Sequence, residues 1–339
     1  MEKLLEVKNL SVSFDTYAGE VQAVRDISFE VGKGECIAIV GESGCGKSVT
    51  SKSIIKLNPT PPARIKKESS IKYKGRELTT LSKREIRKVR GLEIGMIFQD
   101  PMSSLNPTMT IGFQICEGFI KHKGMKKKEA IENAIRMLEL VGISDPIKIA
   151  KNYPHQLSGG MKQRVIIAIA LSGSPELLIA DEPTTALDVT IQAQILVLLK
   201  DLQKKLGMSI ILITHDLGVV AGMAQRVIVV YAGKIMEIGT LDDVYYNPQH
   251  PYTWGLLNSI ARLDCEDNSK LEPIKGTPPD LLCPPKGCPF ASRCDYVLEI
   301  CRHSMPPYTD VDISHKVACW LLDPRAPKVE RSSNEVNIV

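Results

Sequence analysis

The chain has 339 residues, of which 43% are hydrophobic and 24% are charged, and its formal net charge is +4. This composition predicts a globular protein with a sizeable core, built as two domains or as one large domain with an appendage. It does not indicate a nucleic-acid-binding protein, because the weak positive charge forms no dense basic stripe with interleaved aromatic residues.

The sequence shows no sign of a membrane span or a secretory leader. Acidic residues appear at once near Met1, and no apolar run approaches the length that crosses a bilayer. We therefore expect a cytoplasmic protein, with any role at a membrane peripheral and exerted through a partner.

The front of the chain is predicted to form strands and then a helix. Residues 4–14 and 21–31 alternate apolar and polar side chains, which favours antiparallel strands. Residues 35–40 (ECIAIV) form a short apolar run typical of a buried central strand. Residues 47–57 are predicted to be helical.

A glycine-rich segment, GESGCGKS at residues 41–48, joins that strand to that helix and matches the phosphate-loop pattern. Its glycines allow successive backbone N–H groups to curl around phosphate oxygens. Lys47 is expected to reach the terminal phosphates of a nucleotide and Ser48 to ligate Mg²⁺. A turn without a ligand is disfavoured, since strand and helix flank the loop as a phosphate site requires. The predicted nucleotide contacts here are Gly41, Ser43, Gly44, Cys45, Gly46, Lys47, Ser48 and Val49.

The middle of the chain changes character. Residues 111–149 show helical periodicity and no strand runs, whereas strand and helix patterns alternate again from Ser158 to about residue 240. Such alternation around a phosphate loop predicts a mostly parallel sheet covered by helices. From about Asn247 the sequence becomes rich in proline.

The segment LLIADEP, residues 177–183, reads as a buried strand that ends in two acids. Asp181 can hold Mg²⁺, directly or through water. Glu182 stands one step further along, where a carboxylate could polarise the attacking water. The alternative is a pair of acids that merely favours a helix N-terminus, and the presence of a phosphate loop weighs against it.

Residues 157–164, LSGGMKQR, resemble the signature sequence of the ABC-type ATPases, which usually reads LSGGQ and differs here at Met161. Further motifs follow the family's order: FQDP with Gln99, ALD with Asp188 and ITHD with His215. Phe14 stands where the family places an aromatic residue that stacks on adenine, and Tyr17 is the less favoured substitute.

This resemblance covers about residues 1–240. It implies an α/β fold, a P-loop (RecA-like) ABC ATPase core with an antiparallel β subdomain and a helical subdomain at about residues 100–172. By resemblance, two such domains meet head to tail, so that Ser158, Gly159 and Gly160 contact the ATP of the opposite subunit.

The same resemblance implies the roles of the site residues. Glu182 would be the catalytic base, His215 would contact the γ-phosphate, and Gln99 would report the nucleotide state to the helical insert. Ser48, Gln99 and Asp181 would arrange Mg²⁺.

Two further segments, residues 98–112 and 247–257, resemble the oligopeptide/dipeptide importer branch. Its ATP-binding subunits carry a proline-rich, irregular C-terminal extension after an HPYT sequence, here residues 250–253. The implied domains are a nucleotide-binding domain at 1–246 and the extension at 247–339.

The implied function is ATP hydrolysis that energises import of di- or oligopeptides. The implied partners are two transmembrane permease subunits, a second ABC ATPase subunit and, indirectly, an extracellular peptide-binding protein, at the cytoplasmic face of the membrane. The second ATPase could form a heterodimer with this chain, as family precedent favours, or be a second copy of it.

The extension holds a cluster of cysteines. A reducing cytoplasm disfavours disulfides, and the spacing alone leaves zinc and an iron–sulfur cluster open. The resemblance implies a [4Fe–4S] cluster, and Cys283 matches no ligand position. Unliganded buried thiols are disfavoured, because so polar a segment has little core of its own. The predicted cluster ligands are Cys288, Cys294, Cys301 and Cys319.

Other functions remain open at this point. The chain could be a soluble ABC-type ATPase that acts on nucleic acid or ribosomes, an importer of another solute such as nickel, or a redox or metal sensor. A single unsplit cassette weighs against the translation and chromosome types. The cargo, the choice between homodimer and heterodimer, and the roles of Cys45, Cys265 and Cys283 are left undetermined.

Overall fold

A computed structural model describes residues 2–100, 104–185, 187–259 and 274–329. The chain divides into two compact units, each assembled from separate segments. The first unit comprises Met1–Leu4, Val31–Cys36 and Tyr73–Ile213, and the second comprises Leu5–Glu30, Ile37–Lys72 and Thr214–Val339.

Strands and helices alternate along most of the chain. The strands are β1 (Lys3–Thr16), β2 (Gly19–Gly32), β3 (Cys36–Val40), β4 (Ala63–Ile65), β5 (Ser70–Tyr73), β6 (Arg76–Glu77), β7 (Ile94–Ile97), β8 (Leu177–Asp181), β9 (Ser209–Thr214), β10 (Arg226–Tyr231), β11 (Lys234–Thr240), β12 (Thr309–Asp310) and β13 (Lys316–Val317). The helices are α1 (Lys47–Ile54), α2 (Lys83–Val89), α3 (Ile111–Lys123), α4 (Lys127–Leu140), α5 (Pro146–Lys151), α6 (Gly159–Leu171), α7 (Val189–Leu206), α8 (Leu217–Ala221), α9 (Leu241–Tyr246), α10 (Pro251–Asn258) and α11 (Glu299–His303). Short 3₁₀ turns lie at Pro154–Gln156, Ala291–Arg293 and Trp320–Leu322.

Parallel strands form the centre of the first unit. Strand β8 pairs in parallel with β7 on one side and with β9 on the other, so that Leu177 lies opposite both Ile94 and Ser209. Every residue of β8 and β9 is buried, as expected for parallel strands that are covered on both faces. The carboxyl end of β8 therefore places Asp181 at the edge of a fully packed layer.

The helical part of the first unit lies between β7 and β8 in the sequence. Helices α3, α4 and α5 pack on one another, and α6 packs on α3, α4 and strand β7. Helix α4 buries Ala130, Ala134 and Leu138, which are spaced four residues apart and so lie on one face. This packing fixes the position of the N-terminus of α6, where the signature sequence begins.

Two groups of strands build the second unit. Strand β1 lies between β2 and β5, and β4 pairs with β1 in antiparallel register, with Phe14 opposite Ala63. Strand β3 pairs in parallel with β10, which pairs in turn with the antiparallel β11. Strand β3 is buried along its whole length, and the phosphate loop follows its last residue, Val40.

The C-terminal extension adds to this second sheet. Strand β13 pairs with β11, and β12 pairs with β13, both in antiparallel register. Val317 and Ala318 are fully buried by this addition, and the Ala318 N–H donates to the Met236 carbonyl at 2.8 Å. The extension is irregular, as the sequence predicts, but it is anchored by strand pairing that the sequence did not indicate.

Among the described residues, no helix is both long and apolar enough to cross a bilayer.

Candidate functional site

The phosphate loop of the second unit is a tight curl that only glycine allows at two positions. Gly41 has φ +152°, and a Cβ there would lie 2.1 Å from the carbonyl oxygen of Val230. Gly46 has φ +99°, and its Cβ would lie 2.4 Å from the carbonyl oxygen of Ala23. Real Cβ atoms do not approach carbonyl oxygens so closely, so only glycine fits at these two positions. The two glycines therefore let the loop adopt the tight bend that an anion site requires.

Lys47 lies inside this curl. It is 4% exposed, and its Nζ donates to the carbonyl oxygens of Gly41 at 2.7 Å and Glu42 at 2.9 Å. No side chain caps the start of helix α1, where Gly46 is the N-cap, so the helix N-terminus presents its backbone N–H groups to the loop. A cation and a helix start around one curl are suited to an anionic ligand.

The other predicted contacts of the second unit differ in exposure. Ser43 and Gly44 are exposed, Ser48 and Val49 are half-buried, and Cys45 is 5% exposed. Burial raises the pKa of the Cys45 thiol, which favours a packing role over that of a reactive thiolate.

The predicted adenine contact and the switch histidine also lie in the second unit. Phe14 is half-buried on strand β1, whereas Tyr17 is fully exposed. His215 is exposed directly after β9.

In the first unit, the structure brings together two residues that the sequence presented as separate motifs. Gln99 Nε2 donates to Glu182 Oε2 at 2.8 Å, and the Thr185 hydroxyl donates to the same oxygen at 2.9 Å. Glu182 is 8% exposed and has φ +49°, and its N–H donates to the Ile213 carbonyl at 2.9 Å. The carboxylate is therefore held in one orientation at the end of β8.

Thr185 is a functional candidate that the sequence reasoning missed. Its position three residues after Glu182 is a signal that could have suggested a side-chain contact across the turn. Gln163 is a second such residue: it is 1% exposed, and its Nε2 donates to the Pro183 carbonyl at 2.6 Å. This bond ties helix α6 to the turn that follows Glu182.

The signature sequence begins helix α6. Ser158 is the N-cap, and its hydroxyl accepts from the Met161 N–H at 3.4 Å. Ser158 and Gly159 are exposed and Gly160 is half-buried. A Cβ at Gly160 would lie 2.9 Å from Ile191 Cγ2, so glycine permits the close approach of α6 and α7.

Helix α7 has its own cap. Asp188 accepts from the Ile191 N–H at 2.9 Å, which is a local structural role for the carboxylate of the predicted D-loop. The adjoining Ala186 lies outside the described residues, as do residues 101–103 of the predicted importer segment and Cys265.

The predicted Mg²⁺ ligands carry suitable atoms. Ser48, Gln99 and Asp181 offer hydroxyl, amide and carboxylate oxygens, the ligand class that Mg²⁺ prefers. Asp181 is fully buried at the end of β8, where a carboxylate needs a cation or donors to balance its charge.

The prediction of a [4Fe–4S] cluster, with zinc as its alternative, is wrong. Within the residues that the structure describes, no group of three or more His, Cys, Asp or Glu side chains is placed to hold a metal ion. Burial raises the pKa of Cys288 and Cys319 to about 12 and that of Cys294 to about 11. Cys301 is buried as well, and Cys283 is exposed.

Comparison with known families gives two matches along the chain. Residues 24–185 match the family described as ABC transporter. Residues 236–301 match the family described as the C-terminal region of oligopeptide/dipeptide transporters.

Curated relatives match almost the whole chain. The oligopeptide transport ATP-binding protein OppD of Bacillus subtilis is 58% identical over 97% of this chain and 91% of its own length. The dipeptide transport ATP-binding protein DppD of the same organism is 58% identical over 96% of this chain and 97% of its own length. The protein of the same name from Lactococcus lactis is 56% identical over 98% of this chain and 95% of its own length.

Solved structures confirm the predicted α/β ATPase cassette. The post-hydrolysis dimer of the ATP-binding cassette MJ0796, bound to ADP and phosphate, superposes with a TM-score of 0.62 at 29% identity. The match covers 70% of this chain and 98% of that one. CbiO1 of Clostridium perfringens, part of an ABC transporter complex, also gives a TM-score of 0.62, at 28% identity over 73% of this chain and 92% of its own.

Proposed function

Because the chain belongs to the ATP-binding subunits of the oligopeptide/dipeptide ABC transporters, we propose that it hydrolyses ATP to energise import of di- and oligopeptides through partner permease subunits. The observation that carries the catalytic part is the hydrogen-bonded group of Gln99, Glu182 and Thr185. A buried carboxylate that two neutral donors hold in one orientation is suited to the role of a positioned base.

The second unit binds the phosphates and the adenine of the nucleotide. Lys47 exchanges its two carbonyl partners for phosphate oxygens, and the loop N–H groups together with the start of α1 bind the same anion. Phe14 stacks on the adenine. His215 contacts the γ-phosphate from its exposed position after β9.

The first unit supplies the chemistry. Glu182 orients the attacking water and accepts its proton, while Gln99 and Thr185 keep the carboxylate aimed. Mg²⁺, held in this unit by Asp181 and the amide oxygen of Gln99, would neutralise charge that develops on the phosphates. Ser158, Gly159 and Gly160 serve the ATP that is bound by a partner ATPase subunit.

The partners follow from the family. Two permease subunits carry the peptide across the membrane, a second ABC ATPase subunit completes the nucleotide-bound dimer, and an extracellular binding protein delivers the peptide. Heterodimerisation with a related ATPase is favoured over a dimer of this chain. The subunit then acts peripherally at the cytoplasmic face of the membrane.

The test of the catalytic assignment is Glu182→Gln. We expect ATP binding close to that of the unaltered protein and turnover lower by about 100-fold or more, the usual contribution of a positioned base. The matched control is Glu176→Gln, since Glu176 is an exposed carboxylate of the same unit that pairs with Lys74. Both ATP affinity and phosphate release are measured on the full chain. Unchanged turnover in Glu182→Gln would remove Glu182 from the mechanism.

The test of the transport assignment is reconstitution. The chain is expressed with its candidate permease and ATPase partners, purified from membranes and placed in vesicles with the binding protein. ATP hydrolysis should rise when a peptide-loaded binding protein is added. Stimulation by DNA or ribosomes, with none by peptide, would contradict the proposal.

A further inference from the structure

The C-terminal extension contacts the phosphate loop through one arginine. Arg293 lies between Cys288 and Cys294, and its side chain is 4% exposed. Its two terminal nitrogens donate to the two carboxylate oxygens of Glu42, at 2.5 and 2.9 Å. Glu42 directly follows Gly41, the first glycine of the loop. A residue 251 positions away in the sequence thus forms a two-pronged ion pair with the nucleotide-binding loop.

Glu42 is engaged through all of its polar groups. Its side chain binds Arg293, its N–H donates to the Tyr252 hydroxyl at 2.8 Å, and its carbonyl accepts from Lys47 Nζ at 2.9 Å. The extension and helix α10 therefore hold the same residue whose carbonyl holds the phosphate-binding lysine.

The guanidinium group is itself fixed before it meets the loop. Arg293 Nε donates to the Lys275 carbonyl at 2.8 Å, and a terminal nitrogen donates to the Ile274 carbonyl at 3.0 Å. The other terminal nitrogen donates to the Tyr231 hydroxyl at 3.1 Å. Because three bonds orient the group in addition to its pair with Glu42, much of its rotamer entropy is already lost when the extension folds.

A cluster of aromatic rings packs against the Arg293 guanidinium. The rings of Tyr231 and Tyr252 lie 4.6 Å apart, and Phe290 of the extension lies 5.3 Å from each of them. The Arg293 guanidinium lies 5.7 Å from the Tyr231 ring centre and 5.9 Å from that of Phe290. These distances suit aromatic and cation–π packing. The aromatic cluster therefore holds the ion pair of Arg293 with Glu42, which we call the clamp, in a fixed position.

We infer that Arg293 is a positioning residue for ATP binding, through which the C-terminal extension holds the phosphate loop and neutralises Glu42. This inference rests on the proposed role of the loop in binding ATP. When Lys47 leaves the carbonyls of Gly41 and Glu42 for phosphate, the loop loses two internal bonds. The pair of Arg293 with Glu42 keeps the phosphate loop in its bound conformation when Lys47 moves, so ATP binding does not have to supply the free energy of ordering the loop.

The negative charge of Glu42 is a second reason to expect that Arg293 promotes ATP binding. A carboxylate on the phosphate loop repels a triphosphate unless a cation accompanies it. Arg293 provides this cation in the bidentate geometry that lysine cannot reproduce. Loss of Arg293 should therefore weaken ATP binding both by loosening the loop and by exposing the nucleotide to an uncompensated negative charge.

The experiment compares five variants of the full chain with the unaltered protein, by ATP titration and by steady-state hydrolysis. For Arg293→Ala we expect the Kd and KM for ATP to rise by about tenfold, the scale of one lost charge-assisted interaction, with kcat changed by less than about twofold. For Arg293→Lys, the Kd and KM for ATP should lie between those of Arg293→Ala and those of the unaltered protein, because lysine keeps the positive charge but cannot bind both carboxylate oxygens in the bidentate geometry. In the double variant Arg293→Ala/Glu42→Gln, removal of the repelling charge should restore at least a third of the lost affinity.

The matched control is Arg325→Ala. Arg325 lies in the same extension and forms a similar two-pronged pair with Asp323, at 2.9 and 2.8 Å, but its side chain is exposed and does not contact the phosphate loop. We expect this variant to bind ATP as the unaltered protein does.

Two results would overturn the inference. One is a KM for ATP within twofold of the unaltered protein in folded Arg293→Ala. The other is an affinity loss that Glu42→Gln does not relieve, which would mean that Arg293 only anchors the extension. If Arg293→Ala fails to fold, Arg293→Lys decides, because an unchanged KM there also contradicts the inference.

Lys47→Ala separates this inference from the proposed function. If Lys47→Ala binds ATP normally, the proposed nucleotide site itself fails. If Lys47→Ala loses ATP binding while the Arg293 variants retain it, only the inference about the extension fails.

Discussion

Replacing Glu237 by Gln is expected to lower the free energy of unfolding of the second unit by about 3–5 kcal/mol, the cost of breaking a buried ion pair from one side. The Glu237 carboxylate is fully buried and accepts from four donors. They are the ring Nε2 of His315 at 2.8 Å, the hydroxyl of Thr253 at 2.5 Å, and the N–H groups of Gln249 at 2.7 Å and His250 at 3.2 Å.

The magnitude follows from how these donors are shared. Each carboxylate oxygen of Glu237 accepts two of the four bonds, so an amide in its place turns one double acceptor into a donor. At least one buried donor then loses its partner, at about 1–3 kcal/mol, and His315 loses the charge that balances its own. The lost hydrogen bond and the lost charge balance act on the same buried group, so their costs are not additive. We therefore expect a total of about 3–5 kcal/mol, the usual cost of breaking a buried ion pair, and not the sum of the separate costs.

Tryptophan fluorescence during urea unfolding is the appropriate assay. The chain has two tryptophans, Trp254 and Trp320, and both belong to the second unit that contains Glu237. The matched control is Glu299→Gln, which removes an exposed contact with His303 in the same unit and should cost less than about 1 kcal/mol. A Glu237→Gln variant within 1 kcal/mol of the unaltered protein, by the same assay, would refute the reasoning.

Two further predictions concern pH and the loop. Burial alone lowers the pKa of His315, but the hydrogen bond and charge of Glu237, together with the charges of Asp243 and Asp312, outweigh burial and raise the pKa above its usual value of 6.5. The stabilisation is therefore complete below the unfolded-state pKa and is lost as the pH rises through the higher folded-state pKa. In urea titrations the stability advantage over His315→Gln should shrink as the pH rises above about 6.5, and a constant advantage would contradict this. Gly41→Ala should abolish ATP binding, because its Cβ would meet the Val230 carbonyl at 2.1 Å, whereas Gly207→Ala, which has open space around its Cβ, should cost only about 1–2 kcal/mol of stability and leave ATP binding intact.

The phosphate loop and its flanking elements could be predicted from the sequence because the information is local. The apolar run of β3, the glycines and the start of α1 are adjacent, and each follows from a short-range rule. Gly41 and Gly46 were identified from their pattern alone, and the structure adds only which carbonyls exclude a side chain there.

The contact between Gln99 and Glu182 could not be predicted in the same way. These residues are 83 positions apart, and their hydrogen bond depends on the parallel register that places β7 beside β8. Sequence patterns give the strands but not the neighbour or register of each strand. The clamp of Arg293 on Glu42 is a stronger case, since nothing near Arg293 in the sequence indicates a nucleotide loop as its partner.

The error about the cysteines has the same origin. The resemblance implied a metal cluster, and unliganded buried thiols were disfavoured because so polar a segment has little core of its own. The structure supplies a core from elsewhere in the second unit: β13 pairs with β11, and Phe290 packs against Tyr231 and Tyr252. In such surroundings Cys288 and Cys301, each 8% exposed, act as small apolar side chains, as free cysteines commonly do. The extension is therefore stabilised by docking on the sheet and the phosphate loop, and the docking surface that replaces a metal is the same one that carries Arg293 to Glu42.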